Sequence, residues 1–229
     1  MSSDEIIVLT LTPDNPSNTT ITTATGDIAY IAVTENSKKG TFTQVRNAEE
    51  EVIAFSEWRD VRPDKITIGD RKPVSLGDWM RRSMIPFKDD ISFSDDQGRK
   101  YKWKGNSPGR YFELYTADDN FAAPIARFNR SRTVRPTPNH SSPPAVDPSA
   151  SVASLTPTLV DPDRPTWQPA TLVLTARAAE IQDTVVTSFL FLEKTRRINE
   201  TESQNRADVL GSAATSAGVG RSTLVNGGV

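Results

Sequence analysis

Hydrophobic residues in the first 130 positions fall into short runs that are separated by turn-forming residues. Residues 6–11 (IIVLTL) form one such run and stop at residues 13–16 (PDNP), whereas residues 65–68 (KITI) alternate polar and apolar side chains. Apolar runs and alternation of this kind, bounded by Gly, Pro, Asn or Asp, predict β-strands. About a dozen such segments follow at regular spacing, a pattern typical of a barrel or a sandwich.

The densest apolar run lies near the end of the chain. Residues 185–192 (VVTSFLFL) belong to a segment at about 176–197 that predicts a helix, and they place apolar groups on nearly every side of it. A helix that is apolar all round has to be buried. The run is too short to cross a bilayer, which needs about 20 apolar residues. We therefore expect strands that surround a hydrophobic C-terminal helix.

Proline and serine dominate the stretch before the last strand. Nine of the sixteen prolines lie between residues 130 and 169, where few apolar residues are available for a core. This composition predicts disorder at about residues 131–166. The strand and helix beyond need the earlier strands as partners, so we expect residues 1–198 to form a single domain with an insertion. Residues 199–229, rich in Gly, Ser, Ala and Thr, predict a disordered tail.

Composition narrows the possible functions. The net charge is −2, which gives no global attraction to nucleic acid. The chain has no cysteine, which excludes disulfides and thiolate metal sites. The N-terminal residues are acidic and do not resemble a signal peptide. Together these features favour an intracellular, most readily cytoplasmic, protein without a transmembrane segment; they leave its oligomeric state open.

One predicted strand carries a row of basic side chains. Side chains alternate along a strand, so Lys100, Lys102 and Lys104 share one face, and Tyr101 and Trp103 share the other. The lysines form a candidate site for lipid or other anionic headgroups, since a basic group near an anionic membrane contributes roughly 1 kcal/mol. A simpler interpretation is a solvated strand face that discourages edge pairing.

One segment breaks the strand pattern, because Leu76, Trp79 and Met80 are spaced as one face of a short helix. Arg81 and Arg82 would then lie at its C-terminal end. There they could extend the lysine face, or simply complement the negative end of the helix dipole.

A second basic group, formed by Lys194, Arg196 and Arg197, follows the hydrophobic run. A juxtamembrane role is poorly supported, because the preceding run is too short to span a bilayer. We expect these residues to complement the dipole at the end of the buried helix.

Candidate catalytic residues are few. His140, the single histidine, lies in the proline-rich stretch, where it cannot hold the geometry of a catalytic triad. Aspartate pairs at residues 89–90, 95–96 and 118–119 occur beside predicted turns, where Asp is favoured for local hydrogen bonds. An acid/base or cation site is the alternative for these pairs. No phosphate loop or dinucleotide motif is present, so we predict no catalytic residue, metal or cofactor.

Eight segments, taken in order along the chain, carry a family resemblance. They are residues 9–16 (LTLTPDNP), 18–21 (NTTI), 53–58 (IAFSEW), 62–69 (RPDKITIG), 98–105 (GRKYKWKG), 114–115 (LY), 124–128 (PIARF) and 188–194 (SFLFLEK). Together they resemble a fungal family of unknown function, domain of unknown function 6593, and the first two resemble its opening. That family is similar to the Tubby C-terminal, LURP-one and phospholipid-scramblase-like group. The resemblance implies a mainly β fold, a closed antiparallel barrel of twelve strands around a central hydrophobic helix, but no established activity.

These observations favour a non-enzymatic module that binds membrane phospholipid headgroups or a protein partner. The alternative is a hydrolase-type enzyme that uses turn carboxylates in a pocket at one end of the barrel.

Overall fold

The computed structural model describes residues 6–38, 40–59, 61–85, 88–107, 111–135 and 165–218. Its strands, numbered in chain order, are β1 (Ile7–Thr12), β2 (Thr19–Thr22), β3 (Ile28–Ser37), β4 (Gly40–Asn47), β5 (Val52–Trp58), β6 (Lys65–Ile68), β7 (Val74–Ser75), β8 (Arg81–Arg82), β9 (Ile91–Ser94), β10 (Lys100–Lys104), β11 (Phe112–Thr116), β12 (Pro124–Asn129), β13 (Arg132–Val134), β14 (Thr166–Gln168) and β15 (Ala170–Leu174). Its helices are α1 (Leu76–Trp79), α2 (Ala176–Ala179) and α3 (Gln182–Gly218).

Thirteen of these strands form one antiparallel sheet, in the order β7-β6-β5-β4-β3-β2-β1-β15-β12-β11-β10-β9-β8. Most neighbours are consecutive in the chain and are joined by short turns. At the turn between β2 and β3, Gly26 adopts a φ of 91°, which L side chains rarely tolerate, and its N–H donates to the Thr23 carbonyl. The exception is β15, which pairs with both β1 and β12 and so joins the two halves of the sheet.

The sheet is not closed, so the predicted closed barrel is wrong. Its edge strands, β7 and β8, pair only with β6 and β9 respectively. The segment that joins the two edges contains α1, where the Met80 N–H donates to the Leu76 carbonyl instead of to a strand. Alternation of side chains predicts which face of a strand is buried, but it carries no information on whether two distant edges pair.

The sheet instead curves around the first half of α3. Residues 185–192 are at most 6% exposed, which confirms the prediction of a buried helix. The Phe189 ring lies 4.5 Å from the Phe128 ring on β12, and the Phe191 ring lies 5.8 Å from the Trp58 ring on β5. On β10, Trp103 Nε1 donates a hydrogen bond to Ser188 Oγ at 3.0 Å. Strands far apart in the sheet therefore contact one helix.

Two boundaries differ from the sequence prediction. The sequence predicts a helix end near Arg197, whereas α3 continues to Gly218, and its residues 201–208 are exposed. The margins of the predicted disordered insertion form a ribbon, in which β13 pairs with β14. Residues 136–164 and 219–229 lie outside the described residues, so disorder there stays a prediction.

Candidate anion-binding groove

Strand β10 presents its lysines outward, as its alternation predicts. Tyr101 and Trp103 are fully buried, whereas Lys100 is exposed and the next two lysines are partly exposed. The tight turn before β10 depends on Asp95, whose Oδ1 accepts hydrogen bonds from the backbone N–H groups of Gln97 and Arg99, both at 2.9 Å. This turn sets the register of β9 and β10, and therefore which side chains face solvent.

The register of three strands brings arginine and lysine side chains together. Arg81 on β8 lies opposite Ser92 on β9, and Ser92 lies opposite Lys102 on β10. Lys100 lies opposite Ser94 in the same ladder. These side chains surround an open cavity of about 580 Å³, here called the basic groove. Its lining residues are Asp78, Trp79, Arg81, Ser92, Phe93, Ser94, Lys100, Tyr101, Lys102 and Phe121.

The charge of the basic groove favours anions. Three cationic side chains line it against the single carboxylate of Asp78. Lys102 Nζ lies 3.8 Å from an Asp90 carboxylate oxygen, at the limit of an ion pair. Neither Arg81 nor Lys100 has an ion-pair partner among the described residues. Two cations are therefore available to a ligand without breaking an existing pair.

Aromatic side chains complete the lining. Lys102 Nζ lies 4.4 Å from the centroid of the Phe121 ring, a cation–π geometry that orients the ammonium group. Trp79, at the end of α1, is half-buried, and its ring lies 6.0 Å from that of Phe93. The sequence identified Trp79 only as part of a helix face. It gave no signal for Phe121, which follows a turn and lies outside any periodic segment.

Two of the five predicted site residues do not line the basic groove. Lys104 Nζ donates to the Phe121 carbonyl at 3.2 Å and lies 3.6 Å from the Tyr115 ring centroid, so its ammonium is already held. Arg82 is exposed, but it lies opposite Ile91 and so points away from Arg81 on its strand. The sequence places both arginines at a helix end. They lie instead on an edge strand, because α1 ends at Trp79.

Carboxylates converge at a second cavity, of about 390 Å³. It is lined by Asp95, Asp96, Glu180 and Asp183, with neutral and basic residues between them. This arrangement is the nearest approach to the pocket that the hydrolase alternative requires.

Each of these carboxylates has a partner. Asp95 pairs with Arg99 at 2.6 Å, and Asp96 pairs with Arg71. Glu180 accepts from Arg177 at 2.7 Å, and Asp183 accepts from the Tyr30 hydroxyl at 2.6 Å.

The electrostatics at Asp95 suit an ion pair. Burial favours its neutral form, but hydrogen bonds from Arg99, Gln97 and Tyr101 outweigh burial and lower its pKa. A general acid needs a raised pKa. Arg99 also pairs with Glu180 at 3.1 Å, so Asp95, Arg99 and Glu180 are arranged to hold the turn before β10 against the end of α2.

The structure gives the arginines on α3 a different role from the predicted one, which was to complement the dipole at the end of the helix. Arg196 Nε and Arg197 Nε donate to the two oxygens of Glu193 at 2.7 and 2.8 Å, and Arg130 Nε donates to it at 3.0 Å. Glu193 is fully buried. Because α3 continues to Gly218, these arginines lie mid-helix, where the dipole has little effect. They neutralise a buried carboxylate instead.

Two further features concern metal ions and bilayer-spanning helices in the part of the chain that the structure describes. No group of three or more Asp, Glu, His or Cys side chains is placed to hold a metal ion there. His140 lies outside those residues. No described helix combines the length and the apolar character that a bilayer span requires.

Comparison with known proteins gives a family and nothing closer. No curated protein matches the chain. No solved structure matches it either. A family model described as "Family of unknown function (DUF6593)" matches residues 14–198, a range that includes the whole basic groove and the buried part of α3. The chain therefore belongs to the DUF6593 family.

Proposed function

We propose that this protein is a non-enzymatic module that binds anionic phospholipid headgroups in the basic groove. The observation that carries the proposal is the convergence of Arg81, Lys100 and Lys102 from adjacent strands on one open cavity. Two of these cations have no ion-pair partner among the described residues. A phosphate group in the cavity would supply one.

The energetics favour weak, composition-dependent binding. Each basic group near an anionic membrane contributes roughly 1 kcal/mol, so three contribute about 3 kcal/mol at physiological salt. Trp79 and Phe121 add amphipathic and apolar surface of the kind found at membrane interfaces. Binding should therefore require anionic lipid and should weaken as salt rises. The proposal includes a cytoplasmic location, because the cytoplasmic leaflet carries the anionic lipids.

Vesicle sedimentation tests the proposal. Wild type is expected to bind phosphatidylcholine vesicles that contain about 5% phosphatidylinositol bisphosphate, and not vesicles of phosphatidylcholine alone. The groove variant Arg81→Glu/Lys100→Glu/Lys102→Glu should lose binding. The control variant Arg46→Glu/Lys65→Glu/Lys72→Glu changes net charge equally at exposed residues outside the groove, and should bind at least about tenfold better than the groove variant.

Two outcomes would reject the basic groove as the site. Equal binding by the two variants would show that net charge alone drives association. Absence of binding by wild type would show that phospholipid headgroups are not the ligand of the basic groove. Soluble inositol hexakisphosphate, added as a competitor, separates recognition of phosphate groups from attraction to the charged surface.

An apolar patch favours a protein partner as the second candidate. On the outer face of the sheet, the Phe42 and Phe55 rings stack at 5.5 Å, and Val33 beside them is 42% exposed. Exposed apolar patches often mark interaction surfaces. If vesicles do not bind, a Phe55→Glu variant becomes the control for partner searches, since a true partner should bind wild type and not the variant.

We also propose that the family is related to the Tubby C-terminal and phospholipid-scramblase-like group, and that this chain is fungal. The support for the relationship is an antiparallel sheet that curves around a hydrophobic C-terminal helix, whereas the fungal origin rests only on the segments that resemble the fungal family. The open edge between β7 and β8 is a departure from that group's closed barrel. An experimental structure superposed on a Tubby domain would test the relationship, and a different strand order would reject it.

A further inference from the structure

Lys194 on α3 differs from the other basic side chains of its helix. Its Nζ lies 3.7 Å from the centroid of the Trp58 ring and 3.3 Å from Thr43 Oγ1, and the side chain is half-buried. Arg196 and Arg197, close by on the same helix, both pair with Glu193. Lys194 has no ion-pair partner among the described residues.

The hydroxyl group near Lys194 can only accept from it. Thr34 Oγ1 donates to the Ser17 carbonyl at 2.7 Å, so the Thr43 hydroxyl proton has to point to Thr34 Oγ1, 2.8 Å away. Thr43 Oγ1 then accepts from Trp58 Nε1 at 2.7 Å and from Lys194. The amine is thus positioned by an aromatic ring and a neutral oxygen, and the Trp58 ring, in place of a carboxylate at ion-pair distance, favours its charged form.

The environment increases the neutral fraction of the amine. Burial lowers the pKa of Lys194 to about 8, although Asp64 acts in the opposite direction from beyond ion-pair distance. Arg197 and Glu202 are the charged groups that share its cavity. At pH 7.4 a pKa of about 8 leaves about 20% of the amine neutral, against about 0.1% for an ordinary lysine.

A cavity of about 330 Å³ gives small molecules access to this part of α3. It lies between α3 and the segment of residues 15–17, and its lining combines Lys194 with apolar groups of Pro16 and Ile198. The volume suits an aliphatic molecule of a few carbon atoms.

We propose that Lys194 is a covalent modification site that reacts with small aliphatic aldehydes. The neutral Nζ attacks the carbonyl carbon, and a proton passes from Nζ to the carbonyl oxygen, which gives a carbinolamine. Loss of water then forms a C=N bond, with no change in oxidation state. A neutral lysine amine beside an apolar cavity is the arrangement that such carbonyl chemistry requires. This proposal is independent of the basic groove.

Reductive trapping on the full chain tests it. The protein is incubated with butanal and sodium cyanoborohydride, and butylated lysines are quantified by peptide mapping. At pH 7.4 Lys194 should be labelled at least about tenfold faster than exposed Lys100, with a rate midpoint near pH 8. A rate no faster than that of Lys100, or a midpoint above about pH 10, would show that the Trp58 ring holds the cation and would overturn the proposal.

Two variants test separately whether aldehydes reach Lys194 through the cavity and whether Lys194 is the labelled residue. Thr201→Trp fills the cavity at an exposed position on α3 and should slow the labelling of Lys194 without changing that of Lys100. Lys194→Arg keeps the charge and should remove the label from its peptide alone. Unchanged labelling of Lys194 in the Thr201→Trp variant would show that aldehydes do not reach the amine through this cavity, which would also overturn the proposal.

Discussion

At the residue scale, the ion cluster on α3 places charged groups far from water. Glu193 has no exposed surface, and it is surrounded by Arg130, Arg196 and Arg197. Arg196 is itself only 4% exposed. Two charges so far from water are tolerated because their hydrogen bonds replace those to solvent, and removing one partner leaves the other uncompensated.

Glu193→Gln should therefore destabilise the fold by about 3–5 kcal/mol, because it removes the carboxylate that pairs with buried Arg196 at 2.7 Å. Urea unfolding with a fixed m-value measures the change. As a control, Arg127→Gln breaks an ion pair in which the arginine is 49% exposed, and should cost within about 1 kcal/mol. Equal losses of unfolding free energy in the two variants would show that burial of the ion cluster does not determine its contribution to stability.

Asp14 connects the first turn to this cluster and makes stability depend on pH. Burial favours its neutral form, but hydrogen bonds from Ser131 and Arg197 outweigh burial and lower its pKa below the usual value. A lowered folded pKa contributes stability at pH values above the unfolded pKa, and that contribution is lost as pH falls through the folded pKa. Asp95 and Asp118 have lowered pKa values for similar reasons and share the loss.

Stability should therefore fall steeply below about pH 4, and Asp14→Asn should make that fall shallower, because the amide that replaces the carboxyl group does not titrate. Urea midpoints between about pH 7 and pH 2.5 measure both curves. The variant should be less stable than wild type at neutral pH and approach it at low pH. Parallel curves for the two proteins would show that Asp14 titrates alike in the folded and unfolded states.

At the element scale, α3 fills the interior that the sheet alone would leave empty. Phe189 is fully buried and contacts Phe128, Phe112 and Trp103 on three strands. Fully burying such a side chain contributes about 1.5–3 kcal/mol, and a truncation adds the cost of the cavity. The helix is therefore part of the sheet's core, which explains why its residues 185–192 are apolar all round.

Phe189→Ala should destabilise the protein by about 3–5 kcal/mol, a large part of a typical stability of roughly 5–15 kcal/mol. Ile198→Ala, on the same helix but 47% exposed, is the control and should cost less than about 1 kcal/mol. Thermal unfolding followed by circular dichroism compares the two. A small effect at Phe189 would mean that the helix does not occupy the core.

At the scale of the whole molecule, the strands at the open edge of the sheet are short, and each pairs with a single neighbour. β7 and β8 have two residues each and one neighbouring strand each, whereas β1 and β15 lie at the centre and have two. The same open edge carries Arg81 and Trp79 into the basic groove. The candidate site therefore includes the part of the sheet with the fewest backbone hydrogen bonds.

The rates of amide hydrogen exchange should reflect this difference between edge and central strands. Amides of β1 and β15 should exchange more than about a hundredfold slower than those of β7 and β8, because edge strands open without unfolding the core. Nuclear magnetic resonance resolves the individual amides, and β9 and β10 provide an internal comparison between edge and centre. Equal protection at the edge and the centre would mean that β7 and β8 are closed together in solution.

The sequence by itself determined the properties that depend on neighbours along the chain. Alternation placed Tyr101 and Trp103 inside and Lys100 and Lys102 outside, and the apolar run at residues 185–192 required burial. Turn-forming residues 13–16 predicted the break between β1 and β2. These features follow from strand and helix periodicity, which needs no knowledge of the partner element.

Only the tertiary structure decided which elements meet. Pairing of β8 with β9 brings Arg81 close to Lys102. Phe121, which follows β11, lines the basic groove with its ring and accepts a hydrogen bond from Lys104 with its carbonyl, so that Lys104 does not line the groove. The open edge, the ion cluster on Glu193 and the length of α3 were likewise not predictable from local pattern. Contacts between residues far apart in the chain depend on strand register and on the entropy of closing long loops. The periodicity of one segment determines neither.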